Sequence, residues 1–574
     1  MGDQKLENLL NLALGATQQE RRESLELEVG YDIQDQLWEL IVQFSGQPEE
    51  LAMEGAEITP LLGQYAIVRL PQDLIAPFAS RTAVEYVEKP KRLFFALDQS
   101  RTAACINQVQ TGLFHLKGEG VWVACIDSGI DYRHPDFLRP DGTSRILYLW
   151  DQTIPGSPPP GYQLGSLYTR EDINRALRSG ASLEVVPSRD FSGHGTSVMG
   201  AAAGNGAASG GIYRGPASES DLIVVKLGTP GEDSFPRTTE LMQAVDFVVR
   251  LAAQEGMPVA VNLSFGNAYG SHSGDSLLET YLDQAAGTGR CVICAGTGND
   301  AALGGHYAGT LTEGVPRDVQ LAVGTYETTL NVQLWKRYVD EVGIVVIHPD
   351  GTRVGPIRAV QEPQRLRLGG TEVLFYYGEP APYSMAQEIY FDFLPKGSYI
   401  DSGVWTFRLV PEKIVEGEFD LWLPGGQVLG AATRFYDPDP GRTLTIPSTA
   451  RRVISVGAYD SRALSYAAFS GRGYTRVTNQ VKPLLAAPGV DITVPKAGGG
   501  YHSVTGTSFA APLVTGSAAL LMSWGIVQGN DPYLYGEKVK AYLAKGAQPL
   551  PGFEKYPNSQ VGYGALCLRE SLPI

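Results

Sequence analysis

Apolar residues in the first 97 positions are spaced as in short strands and one short helix. Apolar and polar residues alternate in GQYAIVRLP (63–71) and in AVEYVEKP (83–90), a pattern typical of half-buried strands. Between them, PQDLIAPFAS (71–80) predicts a short helix. The segment that follows, KRLFFALDQSRTAA (91–104), has no helical periodicity and predicts extended chain. We therefore expect a small α+β unit that ends in an extended tail.

From residue 118 onward the pattern changes to unbroken apolar runs separated by amphipathic stretches. The amphipathic stretches, 238–254 and 276–289, predict helices. The apolar runs predict buried strands: GVWVACIDSGID (120–131), LIVVKLG (222–228), PVAVNLSFG (258–266) and RCVICAGTGN (290–299). Strands that alternate with helices indicate a parallel sheet covered on both faces. Because ligands bind beyond the carboxyl ends of such strands, polar residues there are candidate functional residues.

A third pattern spans residues 311–446. About seven short alternating segments with Gly, Pro and Asp turns, from VQLAVGTY (319–326) to GEFDLWLPGG (417–426), predict an antiparallel sandwich of the jelly-roll kind. RRVISVGAYD (451–460) then resumes the α/β pattern. We expect an α/β fold in four segments: 1–99, an N-terminal α+β domain; 100–310 and 447–574, the two parts of the α/β domain; and 311–446, a β insertion.

Composition and charge limit the classes of binding partner that we expect. The 574 residues carry a formal net charge of −16 at pH 7, which disfavours nucleic acid and anionic membrane surfaces as partners. The N-terminus lacks the basic region and cleavage motif of a signal peptide. We also expect no apolar stretch long enough to span a membrane.

The chain has five cysteines, and the sequence does not decide whether they are plain thiols, redox groups or metal ligands. They are Cys105, Cys125, Cys291, Cys294 and Cys567. Cys291 and Cys294 form a C-x-x-C, but they lie in an apolar run and have no second ligand pair. Buried thiols are the favoured interpretation, and redox or metal use is the alternative. Together with the N-terminus, this cysteine usage favours an intracellular, reducing compartment.

Three residues at the ends of predicted elements carry candidate chemistry. Asp127 ends an apolar strand, His194 lies in DFSGHGTSVMG (190–200), and Ser508 lies in GTSFAAP (506–512) before an apolar helix. Singly they also fit a helix cap, a turn histidine and an N-cap serine. In the order Asp, His, Ser they match one known arrangement of the acyl-transfer triad.

The motifs VACIDSGID, GHGTSVMG and GTSFAAP resemble the three signature motifs of the subtilisin-like serine proteases, over about 118–310 and 447–567. The resemblance implies a subtilisin-like fold and hydrolysis of peptide bonds. Ser508 would be the nucleophile, His194 the base and then the acid, and Asp127 the group that orients His194. The backbone N–H of Ser508 and the side chain of Asn299 would form the oxyanion hole, although Asn299 also suits a turn.

The resemblance also implies a substrate site and no cofactor. Residues matching the substrate-binding strand are Leu263, Ser264, Phe265 and Gly266, and Gly228 lies on the opposite edge, so that an extended peptide adds a strand between them. The segment 134–136 resembles part of a calcium site in the family. The matching loop (204–215) lacks side-chain carboxylates, so we expect no metal.

The N-terminal unit would then be a propeptide. Its extended tail precedes Asp127 by about thirty residues, enough to reach an active-site cleft at roughly 3.3 Å per residue. We expect self-cleavage within Ala96, Leu97, Asp98, Gln99 and Ser100, with Gln99 favoured on the acyl side, and a propeptide that binds in the cleft. A plain linker is the alternative.

The propeptide, the insertion and the segment SLELEVGYD (24–32) resemble the Csp-type germination proteases of clostridia. This implies an intracellular or spore-associated endopeptidase that activates a proprotein, such as the precursor of a spore-cortex lytic enzyme. The alternatives are a general intracellular degradative subtilase and a non-catalytic binding scaffold. The insertion would clamp the α/β domain; the alternative is a glycan site using Trp335, Tyr376 and Trp405.

Overall fold

The computed structural model describes residues 4–24, 27–91, 99–111, 114–229, 236–359, 362–382 and 384–573. The chain divides into two compact units, Met1–Leu97 and Asp98–Ile574. The second unit contains both parts of the α/β domain and the β insertion between them.

The first unit is an antiparallel sheet of five strands with helices. In β2 every second residue is buried, and the side chains of Trp38, Leu40 and Val42 form its core with those of β4 and α3. The two strands and the short helix that the sequence predicts are present. The strands are β1 (Tyr31–Asp32), β2 (Leu37–Phe44), β3 (Glu57–Pro60), β4 (Tyr65–Pro71) and β5 (Val84–Glu88); the helices are α1 (Asn8–Gly15), α2 (Gln18–Glu23) and α3 (Ile75–Ala79), with 3₁₀ turns Pro48–Leu51 and Gln72–Leu74.

The second unit begins with the first part of the α/β domain, where all four predicted strands are present. Its strands are β6 (Trp122–Asp127), β7 (Ile146–Asp151), β8 (Ser166–Thr169), β9 (Asp221–Lys226), β10 (Val259–Leu263) and β11 (Cys291–Gly296). Its helices are α4 (Ser100–Ala103), α5 (Asn107–Gln110), α6 (Arg170–Arg178), α7 (Ser182–Val185), α8 (His194–Ala203), α9 (Thr238–Gln254) and α10 (Leu277–Ala286), with 3₁₀ turns Pro135–Phe137 and Ala207–Ser209.

The β insertion consists of two antiparallel sheets that share one core. It begins with the strand at His306, before the predicted boundary at 311. Its strands are β12 (His306–Thr310), β13 (Arg317–Val323), β14 (Leu330–Arg337), β15 (Glu341–Ile347), β16 (Arg353–Ile357), β17 (Gln364–Leu368), β18 (Thr371–Tyr377), β19 (Ala386–Pro395), β20 (Gly403–Lys413), β21 (Glu418–Trp422) and β22 (Arg434–Phe435). The sheet orders are β12-β21-β14-β19-β18-β17 and β16-β15-β20-β13-β22. The jelly-roll designation stays a prediction.

The chain then returns to the α/β domain. Its remaining strands are β23 (Ile454–Asp460), β24 (Ser465–Tyr466), β25 (Leu485–Pro488), β26 (Ile492–Pro495) and β27 (Tyr501–Val504). Its helices are α11 (Thr507–Met522), α12 (Glu537–Gly546) and α13 (Leu568–Ser571), and one π turn, Ser523–Val527, extends α11.

The central sheet has the order β24-β23-β11-β10-β6-β9-β7-β8, with β25 beside β23. Its inner strands β23, β11, β10, β6, β9 and β7 are mutually parallel. The adjacent strands β6, β10 and β11 therefore bring Asp127, Ser264 and Asn299 to the same edge of the sheet. This is the edge at which ligands bind in open α/β sheets.

Helix α11 and the turn after it form an apolar segment of 21 residues, Thr507–Val527, with a mean hydropathy of 1.5 in its most apolar window. By length and composition it could cross a membrane, so the expectation of no such stretch was wrong. In this structure 83% of that window is buried, and α11 packs in the core with α8.

The structure pairs two of the cysteines. Cys105 and Cys567 form a disulfide across 462 positions of sequence, whereas Cys125, Cys291 and Cys294 are free and buried. The preferred interpretation of Cys291 and Cys294 as buried thiols is therefore confirmed, whereas the pairing of Cys105 with Cys567 was not predicted. Nothing near either residue in sequence indicates the other as its partner, because the contact depends on the folding of the whole second unit.

The insertion is joined to the α/β domain by a buried ion pair. Asp420 in β21 is fully buried and accepts a hydrogen bond at 2.6 Å from Arg476 of the α/β domain. The same guanidinium donates to the backbone oxygen of Trp335 in β14. Burial alone would raise the pKa of Asp420, but the hydrogen bond and charge of His306 and the charges of both Arg476 and Arg442 lower it well below its usual value.

The aromatic residues of the glycan alternative lie in different environments. Trp405 is fully buried in the core between the two sheets, whereas Trp335 is partly buried and Tyr376 is 42% exposed. Trp405 is therefore part of the sandwich core. The link between Arg476 and Trp335 supports the clamping interpretation of this face.

Candidate active site

Asp127 and His194 form a direct pair at the end of β6. Asp127 Oδ1 lies 2.7 Å from His194 Nδ1 and also accepts the Ser128 backbone N–H at 2.7 Å. The carboxylate is 4% exposed, and the imidazole is one-third exposed. An Nδ1 that faces a carboxylate carries the proton, so Nε2 is the nitrogen left to accept one.

Two glycines allow His194 to begin helix α8 at this position. Gly193 has a φ of +74°, a left-handed conformation that other residues adopt at a cost. A Cβ on Gly195 would lie 2.2 Å from the backbone oxygen of Gly129, so only glycine permits the helix to approach the loop after β6. The Gly-His-Gly pattern therefore has a steric reason.

Asp190 holds the turn before His194 in place, a role that the sequence analysis missed. Its Oδ1 accepts the Gly193 backbone N–H at 2.9 Å, and its Oδ2 accepts the backbone N–H and hydroxyl of Thr196 at 2.8 and 2.6 Å. The carboxylate is 8% exposed. Its position four residues before the candidate base was the available signal, because an acid before a helix often caps its free N–H groups.

The neighbouring acids set the protonation of His194. Burial alone would lower the pKa of the imidazole, but the charge and hydrogen bond of Asp127 and the charge of Asp190 outweigh burial and raise the pKa above 6.5. The positively charged form of His194 is therefore stabilised, as is required of a base that must hold a proton during catalysis.

Ser508 lies in the first turn of α11, and its side chain turns toward the end of β10. Its Oγ donates to the backbone oxygen of Ser264 at 2.9 Å. No hydrogen bond joins Ser508 to His194 within the described part of the chain, although the ring of the next residue, Phe509, lies 5.5 Å from the imidazole, centroid to centroid. The structure therefore places the three predicted residues at one edge of the sheet, with the Asp–His contact formed and the Ser–His contact not formed.

A polar network fixes the loop beside Ser508. Ser264 Oγ donates to the backbone oxygen of Ser508 at 2.8 Å and accepts from Asn262 Nδ2. Asn262 Oδ1 accepts a hydrogen bond from the hydroxyl of Thr515, which lies about two helical turns after Ser508 in α11. All of these atoms belong to buried or partly buried residues, and the bonds hold the first turns of α11 against the end of β10.

Asn299 follows β11 and reaches the same helix terminus. Its Oδ1 accepts the backbone N–H of Thr507 at 2.9 Å and the Thr507 hydroxyl at 3.1 Å. These bonds orient the amide so that Nδ2 is its remaining donor group. The N–H of Ser508 belongs to the first turn of the helix and has no acceptor within it. Both groups predicted for the oxyanion hole are therefore donors at one helix terminus.

The predicted substrate-binding residues line the sheet edge on either side of Asp127. Leu263 and Ser264 are buried, Phe265 is partly buried and Gly266 is exposed. On the other side, Gly228 follows β9, where the preceding Leu227 donates its N–H to the Asp127 backbone oxygen at 2.8 Å. An extended peptide could lie between these two backbone segments.

The predicted cleavage segment falls mostly outside the described residues. Ala96, Leu97 and Asp98 are not described. Gln99 is exposed and precedes α4, and Ser100, the first residue of α4, is fully buried. A bond between Gln99 and Ser100 can enter a cleft only while α4 is unwound.

The segment that resembles a calcium site is closed by protein groups. Both carboxylate oxygens of Asp136 accept the Tyr501 hydroxyl, at 2.9 and 2.8 Å, and His134 Nδ1 accepts the Asp136 N–H. Within the ranges that the structure describes, no group of three or more His, Cys, Asp or Glu residues could hold a metal ion.

Two family models match most of the chain. Residues 4–91 match the Csp protease B prodomain. Residues 118–362 and 429–564 match the subtilase family. The interruption between the two matched ranges, 363–428, falls inside the β insertion.

Solved and curated relatives agree with these matches. The structure of the Clostridium perfringens CspB protease superposes with a TM-score of 0.77 at 35% identity, covering 82% of this chain and 96% of that chain. The minor extracellular protease Vpr of Bacillus subtilis is 24% identical over 472 residues, and serine protease AprX of the same organism is 30% identical over 182. The chain spans 51% of the length of Vpr and 38% of that of AprX.

Proposed function

This chain belongs to the subtilase family of serine proteases and carries a CspB-type prodomain, and we propose that it is a processing endopeptidase that cuts peptide bonds with Ser508, His194 and Asp127 and releases its own prodomain. The observation that carries the proposal is the 2.7 Å contact between His194 Nδ1 and Asp127 Oδ1, beside a serine in the first turn of α11. A structural histidine would not require a buried carboxylate on one nitrogen and an exposed face on the other.

The reaction follows the chemistry of these groups. Ser508 Oγ attacks the carbonyl carbon of the scissile bond while His194 Nε2 takes the hydroxyl proton, so that an O–C bond forms. His194 then gives the proton to the leaving amine as the C–N bond breaks. Water repeats the two steps on the acyl-enzyme and releases the acid. Asp127 keeps the proton on Nδ1 throughout and stabilises the imidazolium.

Two hydrogen-bond donors, the N–H of Ser508 and Asn299 Nδ2, stabilise the negative charge that develops on the carbonyl oxygen. Both are fixed before the reaction, because Thr507 holds the Asn299 amide by its oxygen. Donors that need no rearrangement at the moment of charge development are the largest single contribution to such catalysis.

Ser508 must rotate about χ1 to react. Its Oγ leaves the Ser264 carbonyl oxygen and turns to His194 Nε2. The cost is one hydrogen bond, about 0.5–1.5 kcal/mol, which the new bond to the imidazole offsets.

The likeness to CspB favours one defined target over general degradation. We propose that the substrate is a proprotein, such as the precursor of a spore-cortex lytic enzyme, and that the protein works inside the cell or in the spore. A general degradative subtilase is the second candidate, supported by the likeness to AprX and Vpr. A scaffold without activity is disfavoured because Asp127, His194, Ser508 and Asn299 are all present.

The test uses the full chain as wild type and as Ser508→Ala. N-terminal sequencing and intact mass should show that wild type is cleaved at a peptide bond within residues 96–100 and that Ser508→Ala stays uncleaved. Incubation with a spore-cortex lytic proenzyme and with casein separates the two candidates: one cut in the proenzyme and little casein turnover is expected. An intact wild-type chain with no cleavage of either protein contradicts the proposal.

A further inference from the structure

A cavity of about 290 Å³ lies at the amino edge of the central sheet, away from the candidate active site. Its wall includes residues at the starts of β23 and β25 and residues of α12, among them Val453, Ser455, Leu484, Lys540 and Ala544. Because β23 runs parallel to β11, whose carboxyl end leads to the active-site edge, the start of β23 lies at the opposite edge. The cavity is therefore separate from the catalytic edge of the sheet.

The wall of this cavity contains a buried ammonium group, that of Lys482. Its side chain is 3% exposed, and its Nζ donates to the backbone oxygens of Ala450 and, at 2.7 Å, of Val453. An ammonium group has three N–H donors, so one donor of Lys482 remains. In the described part of the chain, no carboxylate oxygen lies within 4.0 Å of this Nζ. A buried charge without a partner is costly, and an anion in the cavity would stabilise it.

Lys540 places a second ammonium group in the same wall. Its Nζ donates to the backbone oxygen of Arg451 at 2.8 Å and to Glu537 Oε1 at 3.3 Å. One of its three donors therefore remains as well. Since Lys482 binds the backbone oxygens of residues 450 and 453, the two lysines bind one backbone turn and present their remaining donors in the same region.

The acids of the protein do not compensate the charge of Lys482. Burial and then the charge of Lys540 lower the pKa of Lys482 to about 7, although the charges of Asp283, Glu279 and Glu537 raise it. Glu537 also forms an ion pair with Lys540, at 3.2 Å. An anion bound against the ammonium group would supply the compensation that these three more distant carboxylates do not.

The rest of the wall suits the body of a small organic acid. Val453, Val481 and Ala544 contribute apolar surface. Ser455 Oγ accepts the backbone N–H of Leu484 at 3.2 Å, so its hydroxyl proton can be donated to an acceptor in the cavity. The space is larger than a single inorganic ion needs, since one water occupies about 30 Å³ in the liquid. The lining therefore combines a cationic end with an apolar body.

We propose that this cavity binds a small monocarboxylic acid with a short apolar body, whose carboxylate is held between Lys482 and Lys540. The two remaining ammonium N–H groups match the two oxygens of a carboxylate, whereas a phosphate group would bring more oxygens and more charge than they can pair. Arg451, the other base of the lining, is exposed. The acid would join the turn 450–453 to α12, so its binding should stabilise the fold. The inference goes beyond the proposed protease function and does not depend on it.

The test uses the full chain carrying Ser508→Ala, so that self-cleavage does not alter the sample. Calorimetric titration and Tm are measured with sodium butyrate, with butyramide as its uncharged counterpart, with sodium phosphate, and with sodium chloride at equal ionic strength. Butyrate should bind saturably and raise Tm, and butyramide and chloride should do neither. Equal effects of butyrate and butyramide, no saturable binding of butyrate, or tighter binding of phosphate than of butyrate would overturn the proposal.

Lysine variants test the two ammonium groups. Lys540→Met should raise the Kd of butyrate about tenfold, because one charge-assisted hydrogen bond is lost. Lys538→Met is the matched control, since Lys538 lies in the same helix, pairs with Asp531 and lines a different cavity; its Kd should stay within about twofold of the parent.

Lys482→Met should abolish butyrate binding. If that variant does not fold, the comparison of Lys540→Met with Lys538→Met still decides. The same Kd in Lys540→Met and Lys538→Met, or unchanged binding in a folded Lys482→Met, contradicts the site.

Discussion

The side-chain oxygen of Asn299 accepts the backbone N–H of Thr507 at 2.9 Å, one residue before Ser508. One amide therefore does two jobs: its oxygen caps helix α11, and its nitrogen is left as a donor toward substrate. The two roles can be separated, because only the nitrogen half differs between asparagine and aspartate.

Replacing Asn299 by aspartate should remove catalysis and keep the cap. Asn299→Asp retains an oxygen for Thr507 and loses the Nδ2 donor. We expect kcat to fall about 100- to 1000-fold, the loss known for this donor in subtilisin itself, with a change in Tm of no more than a few degrees. Asn299→Ala is the matched variant that loses both roles, so it should show a lower Tm as well. A kcat within threefold of wild type for Asn299→Asp would rule out the oxyanion role.

The acid limb of the pH profile should report His194. A base works only when neutral, so activity rises as pH passes through the pKa of His194. Because Asp127 and Asp190 raise that pKa, half-maximal kcat/KM on the acid side should lie above pH 6.5. The measurement is kcat/KM of the mature enzyme on one peptide from pH 5 to 9.

Neutralising Asp190 should shift the acid-side rise of kcat/KM to lower pH, because the pKa of His194 falls. Asp190→Asn removes a charge that raises the pKa of His194 and keeps an oxygen for the Thr196 N–H. Asp141→Asn is the control, since Asp141 is exposed and does not act on His194. A shift to higher pH in Asp190→Asn, or the same shift in the control, would contradict the assignment.

The disulfide gives a thiol count that is easily checked. Unfolded without reductant, the purified chain should expose three thiols, those of Cys125, Cys291 and Cys294, and five after reduction. The Cys105→Ser, Cys567→Ser double variant should lose about 2–5 kcal/mol of unfolding free energy. Five thiols before reduction would show that the pair is not joined in solution.

Replacing the buried Asp420 by alanine should lower the free energy of unfolding far more than replacing an exposed acid of the same insertion. Asp420→Ala leaves Arg476 as an uncompensated buried charge, for which the expected cost is about 3–5 kcal/mol. Asp318 pairs with Arg408 near the surface, and Asp318→Ala should cost less than about 1 kcal/mol. Denaturant unfolding checks both variants, and similar losses in the two would contradict a clamp at Asp420.

The sequence predicted those parts of the protein that depend on local pattern. Apolar runs identified β6, β9, β10 and β11, because a strand buried on both faces is apolar at most of its positions. The Gly-flanked motifs predicted Asp127, His194 and Ser508 as a group, and the structure brings the three residues to one edge of the sheet; their catalytic roles stay predictions. The glycine beside His194 has a local reason, because a Cβ on Gly195 would meet the backbone oxygen of Gly129. The β insertion was recognised from alternation, although its first strand begins at His306.

What the sequence could not predict depends on distant contacts. Cys105 and Cys567 meet only through the fold of the second unit. The rotamer of Ser508 is likewise set by Ser264, which is 244 positions away.

Covalent labelling decides whether Ser508 is an activated nucleophile. The chain is incubated with an excess of a peptide phosphonate, digested, and analysed by tandem mass spectrometry beside His194→Ala and Ser508→Ala. We expect stoichiometric labelling of wild type on Ser508 alone, and labelling slowed at least a thousandfold in His194→Ala. Labelling of wild type at no serine, or at the same rate with and without His194, would contradict it.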